Sequence, residues 1–423
     1  MKSPMNANFI KLAEEVMARC QKLASFSEAA SGTQRTFLSR PMKDCHREVS
    51  SWMQALGMNV SVDAVGNLRG FYPAAPSGAL RIMLGSHLDT VPNAGAFDGI
   101  LGVVLAVAVV KSLQEMKLPF GIEVIGFSEE EGVRFGVPFI GSRALVGRVD
   151  EELLGRQDAN GISVRQAIQD FGLNPNQISE AALRDDLLGY IEFHIEQGPV
   201  LEHFGRPLGV VEAIVGQSRL EFTFSGQTNH AGTTPMNLRH DALATTAEWI
   251  VAVENLAKRT TGIVATVGFV EAKPGATNVI AGEARATLDI RHASDTARAE
   301  ALEELIRQAE SIAARRGVTA KWRTLLSQRA VAMDPFLTEQ LSQAVEMSGS
   351  EPHRMASGAG HDAMIVAEKI PAAMIFLRTP GGISHHPAES VHPDDVAKAL
   401  ECGHHLLTQL AASQEFLGRT CRA

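Results

Sequence analysis

Cysteine is scarce in this chain and scattered: Cys20, Cys45, Cys402 and Cys421 are its four, and no two form a C-x-x-C pair. That spacing gives cysteine no metal role and no disulfide framework, and with no secretory leader in front it fits a reducing, cytoplasmic setting. Long apolar runs are missing as well. The longest, Ile100 to Val110, falls short of the roughly 20 residues that a bilayer span needs. Positive charge is not in excess, since the formal net charge is −9, which argues against nucleic acid and anionic membrane as partners. Aromatic residues make up only 5% of the chain, with 45% hydrophobic and 21% charged, so the composition is that of an ordinary globular protein. At 423 residues it exceeds one ordinary core, and two domains are expected.

What the sequence does contain is a series of short apolar strands that end in histidine or acid. Arg81 to Leu84 reads as a buried strand, and Gly85 lets the chain turn where His87 and Asp89 appear. Two residues apart, these side chains point the same way in extended geometry, where a carboxylate can hold an imidazole in one tautomer. Asp98 follows a Pro-Asn-Ala-Gly loop, just ahead of Gly99 and an apolar helix over 100–115. Alone, a His-x-Asp pair fits an ordinary hydrogen-bonded loop as well as half of a metal site. The next strand, Gly121 to Phe127, runs into Glu129-Glu130-Glu131, and strand–helix–strand order over 81–127 predicts a parallel sheet with its polar groups at one edge. Three adjacent acids are usually a solvated run. In a cleft they are tolerated when a cation neutralises them, one acid binding metal and a neighbour taking a proton from water.

Upstream, helices are predicted over 8–24 and 42–56, and an alternating strand over 59–68. Residues 151–188 are polar and helical in character. A strand over Gly189 to Phe193 then ends at His194, and one over Ala373 to Leu377 precedes His385-His386. His87, Asp98, Glu131, His194 and His385, with Asp98 shared, would hold two divalent ions a few ångströms apart. Between 213 and 326 the texture changes to strands at 218–224, 262–270 and 283–291 around helices at 241–258 and 296–316, an α+β domain inserted into the first. The fold class expected is therefore α/β: a large domain, 1–212 with 327–423, built on a mostly parallel sheet flanked by helices, plus the insert 213–326. His230, Asn278 and Arg291 of the insert could each bind a carboxyl or carbonyl oxygen, and Met355 to Ala363 is a glycine-rich turn opening a helix, which suits an anion.

Gly85-Ser-His-Leu-Asp-Thr, Phe97-Asp-Gly, Glu129-Glu-Glu-Gly-Val-Arg-Phe135, His194-Ile-Glu-Gln-Gly-Pro199, Asn229-His-Ala-Gly-Thr-Thr-Pro-Met236, Ser357-Gly-Ala-Gly-His-Asp-Ala363 and Ile383-Ser-His385 stand in this order. From about residue 10 to its end the chain thereby resembles the aminoacylase and carboxypeptidase type of co-catalytic metallohydrolases, and within them the hydantoinase/carbamoylase amidohydrolases. The resemblance implies that His87, Asp98, Glu131, His194 and His385 are metal ligands, with Asp98 bridging two Zn2+ or Mn2+ ions for which Co2+ or Ni2+ can substitute. It makes Glu130 the general base, has Asp89 orient His87, and gives Gln197, His230, Asn278, Arg291, Gly360 and His361 to substrate. His194 stands where peptidase relatives usually carry a carboxylate, which favours the ureido branch.

The triple glutamate leaves base and ligand ambiguous by one residue, and His385-His386 leaves a second ambiguity. The family's His-x-x-x-Glu spacing to Glu389 selects His385. The resemblance further implies a homodimer through the inserted domain, which would act as lid, with His230 reaching the partner subunit's site. Gln34-Arg-Thr-Phe-Leu38, Met236 and Gly381-Gly-Ile-Ser-His385 are similar to the allantoate amidohydrolases. The leading expectation is hydrolysis of allantoate to ureidoglycine, ammonia and CO2, followed by hydrolysis of N-carbamoyl-L-amino acids. A non-catalytic binding protein on the same fold would have broken metal positions, and all five are filled.

Overall fold

A computed structural model describes residues 4–76 and 78–419, which leaves Cys421 outside the described residues. The chain divides into two compact units, Met1–Glu212 with Met333–Ala423, and Ala213–Ala332. A boundary after residue 326 falls inside a strand, Thr319–Gln328, that is hydrogen-bonded along most of its length, and the second unit continues to Ala332.

The first unit is built on a sheet whose strands run, from one edge, Asn59–Val62, Leu68–Tyr72, Gly121–Phe127, Arg81–His87, Leu187–Ile195, Ala372–Leu377 and Leu208–Ile214. The middle four are mutually parallel and the flanking strands antiparallel. Covered on both faces, the middle strands are buried almost throughout, which is why they read as continuous apolar runs instead of alternating ones. The helix Ile100–Ser112 is apolar all round and buried from Ile100 to Val110, because it is enclosed by this sheet and by the helices Pro4–Ala24 and Pro393–Ala412. The one acid inside Gly121–Phe127, Glu123, is 2% exposed and held by Arg69 Nε at 2.6 Å and Arg81 Nη1 at 2.9 Å, the pairing a buried charge requires. Parallel strands have their carboxyl ends at one edge, so His87, the acids after Phe127 and His194 arrive there together.

The expected single strand over 59–68 is instead a hairpin. Asp63 accepts hydrogen bonds from the backbone N–H groups of Val65 (3.1 Å) and Asn67 (2.9 Å), and its side chain turns the chain into the antiparallel strand Leu68–Tyr72. Among the described residues Cys20, Cys45 and Cys402 are free and buried, and burial pushes their thiols above the ordinary range.

The second unit is a four-stranded antiparallel sheet in the order Thr319–Gln328, Gly216–Ser225, Glu283–His292, Val264–Lys273. Two helices, Ala242–Arg259 and Asp295–Arg315, cover one face over a core that includes Leu220, Phe222, Phe224, Trp249, Leu288 and Leu305. Both helices start on side-chain caps, Asp241 accepting from Ala244 N and Ser294 from Ala297 N. No helix among the described residues is long and apolar enough to cross a membrane.

Candidate metal centre

His87 closes its strand with Nδ1 3.0 Å from the backbone oxygen of Asp89 and 3.5 Å from Asp89 Oδ1. The closer contact is the carbonyl, so Asp89 orients the ring mainly through its backbone. Its carboxylate is engaged elsewhere, accepting the N–H of Glu130 at 2.9 Å and of Glu131 at 3.0 Å, and so clamps the acid triplet beside the histidine. His194 is fixed in the same manner, Nδ1 lying 2.9 Å from the Ile195 carbonyl. A ring that donates from Nδ1 presents a lone pair at Nε2. The two Nε2 atoms lie 3.4 Å apart, and His194 Nε2 is 3.3 Å and His87 Nε2 3.9 Å from Asp98 Oδ1. Asp98 reaches them because Gly99, at φ 67°, has no side chain: a Cβ there would sit 2.3 Å from the His87 ring.

Asp98 is 3% exposed, and its Oδ1 has no hydrogen-bond partner among the described residues. Its other oxygen, Oδ2, has three: His385 Nε2 at 3.1 Å, Gln197 Nε2 at 3.0 Å and Ser384 Oγ at 3.2 Å. Glu131 Oε1 lies 3.7 Å from the same His385 nitrogen. Four donor groups with their atoms within 4.8 Å of one another result among the described residues: His87–Asp98–His194 and Asp98–Glu131–His385, which share Asp98, and His87–Glu130–Glu131 and Glu192–His194–His361 beside them. Facing imidazole nitrogens and a bare carboxylate oxygen repel each other unless a proton or a metal cation lies between them. Burial disfavours charge on His87, but Asp89, Glu130 and Asp98 outweigh it and raise its pKa, so the pocket favours positive charge, and N/O donors of this kind suit Zn2+ or Mn2+. The residues fit a pair of divalent ions.

The acids register the same crowding. Burial raises Glu131 to about 7, helped by the Asp98 charge, and burial pushes Glu130 well above the carboxylate range. Burial opposes ionisation of Asp98 too, but His385, His194 and His87 outweigh it and hold its pKa below the ordinary value. For His194 burial prevails and lowers it to about 4, which keeps the ring neutral, as a ligand must be.

Of the three glutamates, Glu130 and Glu131 both form a donor group with His87, while Glu129, fully buried, joins no donor group among the described residues. Of the adjacent histidines, His385 faces Asp98, and His386 turns into its own loop, where Nδ1 accepts the Ala388 N–H at 3.1 Å. Gln197 and His385 both have positive φ, 59° and 55°, with their side chains 3.3 Å apart. Strained backbone of this kind persists only where the surroundings hold it. His361 is 1% exposed, packed edge-on to the His194 ring at 4.5 Å and bonded to Ser357 Oγ at 2.9 Å, whereas Gly360 beside it is exposed.

In the second unit His230 pairs with Val279, and Ala231 N donates to the Asn278 carbonyl at 2.9 Å, so the segments carrying His230 and Asn278 are neighbours. The exposed His230 ring accepts Gly232 N–H at Nδ1, 3.0 Å, which leaves Nε2 as the donor of the neutral ring. Arg291 is held by Asp289, through Nε at 2.8 Å and Nη2 at 3.1 Å.

Sequence reasoning overlooked a buried layer behind the candidate ligands. Glu192 accepts from Ser86 Oγ at 2.9 Å and from Ala363 N at 2.9 Å, and Ser142 Oγ donates to Asp362 at 2.5 Å. Glu192 was within reach, since it stands two residues before His194 and therefore shares its strand face.

Residues 83–409 match the model of peptidase family M20/M25/M40. Allantoate deiminase 2 of Glycine max is 37% identical over 421 residues, covering 91% of this chain and 87% of the relative. The N-carbamoyl-L-amino acid amidohydrolase of Geobacillus stearothermophilus is also 37% identical, over 408 residues, covering 95% and 99%. Among solved structures, an amidase of the hydantoinase/carbamoylase family from Burkholderia multivorans superimposes with a TM-score of 0.87 at 31% identity, covering 94% of this chain and 97% of that one. The chain is thus an amidohydrolase and belongs to peptidase family M20/M25/M40, in its hydantoinase/carbamoylase branch.

Proposed function

We propose that this chain hydrolyses a ureido C–N bond with two divalent metal ions, and that its substrate is allantoate. The observation that carries the reading is Asp98, whose two oxygens each face a separate set of ligand atoms. When bound, Zn2+ or Mn2+ at these groups would polarise the ureido carbonyl and acidify water. Glu130 takes the proton of the attacking water and returns it to the leaving nitrogen. One C–N bond of the ureido group breaks, and the carbamate that remains loses CO2. His230, a donor at Nε2, stabilises the oxyanion, Arg291, aimed by Asp289 at Nε and Nη2, turns its Nη1/Nη2 edge to the carboxylate, and Gln197, Asn278, Gly360 and His361 line the substrate. On this reading the enzyme works in the cytoplasm, a reducing setting that the free, buried thiols of Cys20, Cys45 and Cys402 fit.

Relatives named for allantoate and for N-carbamoyl-L-amino acids are equally similar, 37% in both cases, so the second substrate class is the alternative reading. Substrate choice rests on what replaces the amino-acid side chain. Allantoate carries a second ureido group, and a pocket built to hydrogen-bond it rejects an apolar group because its own polar atoms would be left unpaired. With ammonia release as readout, kcat/KM for allantoate should exceed that for N-carbamoyl-methionine by about 100-fold or more. Arg291→Lys should lower both, a point charge replacing a fork. Turnover of carbamoyl amino acids with allantoate untouched would transfer the assignment to the alternative.

The second unit, on this reading, is the lid and the dimer contact. Among the described residues both of its edge strands pair on one side only, and they carry exposed apolar side chains, Val264 and Phe269 on one, Trp322 and Leu325 on the other, a surface that invites pairing with a second copy. If His230 serves the partner's site, mixing inactive His230→Ala with inactive Glu130→Gln should restore activity, because a mixed dimer holds one site free of both lesions. Mixtures that stay silent would mean that each chain uses its own His230.

A further inference from the structure

We propose that Glu389 is a positioning residue that sets the spacing between Asp98 and His385 and thereby forms the second of the two metal-holding groups. The inference rests on the two-metal reading. Glu389 is 5% exposed, and no Lys or Arg pairs with it among the described residues. Its carboxylate is spent on two loops instead. Oε1 accepts the backbone N–H of Phe97 at 2.9 Å and of Asp98 at 3.0 Å, while Oε2 accepts Ser384 Oγ at 3.3 Å. Ser384 Oγ is in turn 3.2 Å from Asp98 Oδ2. The loop can wrap so closely only because residue 95 is glycine: a Cβ there would lie 2.5 Å from Glu389 Cβ and 2.7 Å from Oε1.

The consequence is unequal for the two groups. Asp98 and His385 stand far apart in the chain, and Glu389, four residues after His385, ties the backbone of one to the loop of the other. His87 and His194 are oriented by the carbonyls of Asp89 and Ile195, neither of which Glu389 touches. Loss of Glu389 therefore disturbs Asp98–Glu131–His385 at two of its members, Asp98 and the His385 loop, whereas the other group, which shares Asp98, keeps both histidines in place and is disturbed less. A carboxylate that acts by spacing needs one acceptor for two N–H groups and one polar atom for a hydroxyl, and a glutamine amide supplies both.

The test is calorimetric titration of chelator-stripped, full-length protein with Mn2+, alongside metal counting after gel filtration and a thermal melt. Wild type should take two equivalents. Glu389→Ala should keep one near wild-type affinity and bind the other about 10- to 100-fold more weakly, the range for residues that orient ligands. Glu389→Gln should restore both to within a few-fold. Glu389→Ala with two unchanged equivalents, with both weakened alike, or with damage that Glu389→Gln shares would overturn the proposal. If Glu389→Ala does not fold, Gly95→Ala probes the same contact by pushing the carboxylate aside, and it too should weaken one equivalent only; two unchanged equivalents there count against the proposal. Fewer than two equivalents in the wild type would contradict the two-metal reading, and this proposal would fall with it.

Discussion

Glu130→Gln should lower kcat by about a hundred- to ten-thousandfold, the range for a lost general base, while the protein keeps its full complement of metal. The substitution preserves volume and leaves the backbone N–H that Asp89 Oδ1 accepts at 2.9 Å, so the clamp on the acid triplet survives. It also leaves both donor sets that share Asp98 untouched, since neither includes Glu130. What disappears is a carboxylate oxygen that can accept a proton. Glu131→Gln is the control for register, because Glu131 lies with Asp98 and His385, and its loss should appear as missing metal. Metal analysis beside steady-state ammonia release separates the two. Glu130→Gln with most of its activity retained would move the base to a neighbour.

Asp98→Asn should cost both metal and activity. Oδ1 faces His194 and His87 and Oδ2 faces His385, so each oxygen belongs to a different donor set. An amide can offer an oxygen to only one side and turns N–H donors toward the other, where a lone pair is required. It also removes the charge that balances the cations. Fewer than two equivalents should remain bound, and kcat should fall roughly a thousandfold or more, as expected where several kcal/mol of charge stabilisation are withdrawn. If the Asp98→Asn variant still binds two ions and turns over substrate, the ions do not share this residue.

The strands that position the site were legible because burial on both faces leaves a plain signature: Arg81–His87, Gly121–Phe127, Leu187–Ile195 and Ala372–Leu377 are short apolar runs with polar residues where they end. Candidate ligands at strand ends follow from the same rule. Thr319–Gln328 was missed for the opposite reason, as an edge strand exposed along much of its length, with no alternation to read. The turn of the hairpin was marked by Gly66-Asn67 but taken as the end of one strand, because the Asp63 side chain that folds the chain back carries no such signal. Least legible were the ties behind the ligands. Arg35 is fully buried and donates to the carbonyls of Leu88, Leu23 and Phe26, and Glu389 grips a loop at Asp98, 291 positions earlier. Contacts of that range leave no periodicity; only the folded chain brings them together. Asp89 was half read: its place beside His87 follows from their spacing, whereas its bonds to Glu130 and Glu131 require the neighbouring strand.

The central claim is that Asp98 joins two metal-holding groups which together cleave a ureido bond. The most direct test is to strip the protein with a chelator, add back Mn2+ or Zn2+ in steps, and follow bound metal and ammonia release from allantoate in the same samples. The account predicts negligible activity without metal, saturation at two equivalents per chain, and activity that rises with the second equivalent. Full activity in the stripped protein, or saturation at a single equivalent, would contradict it.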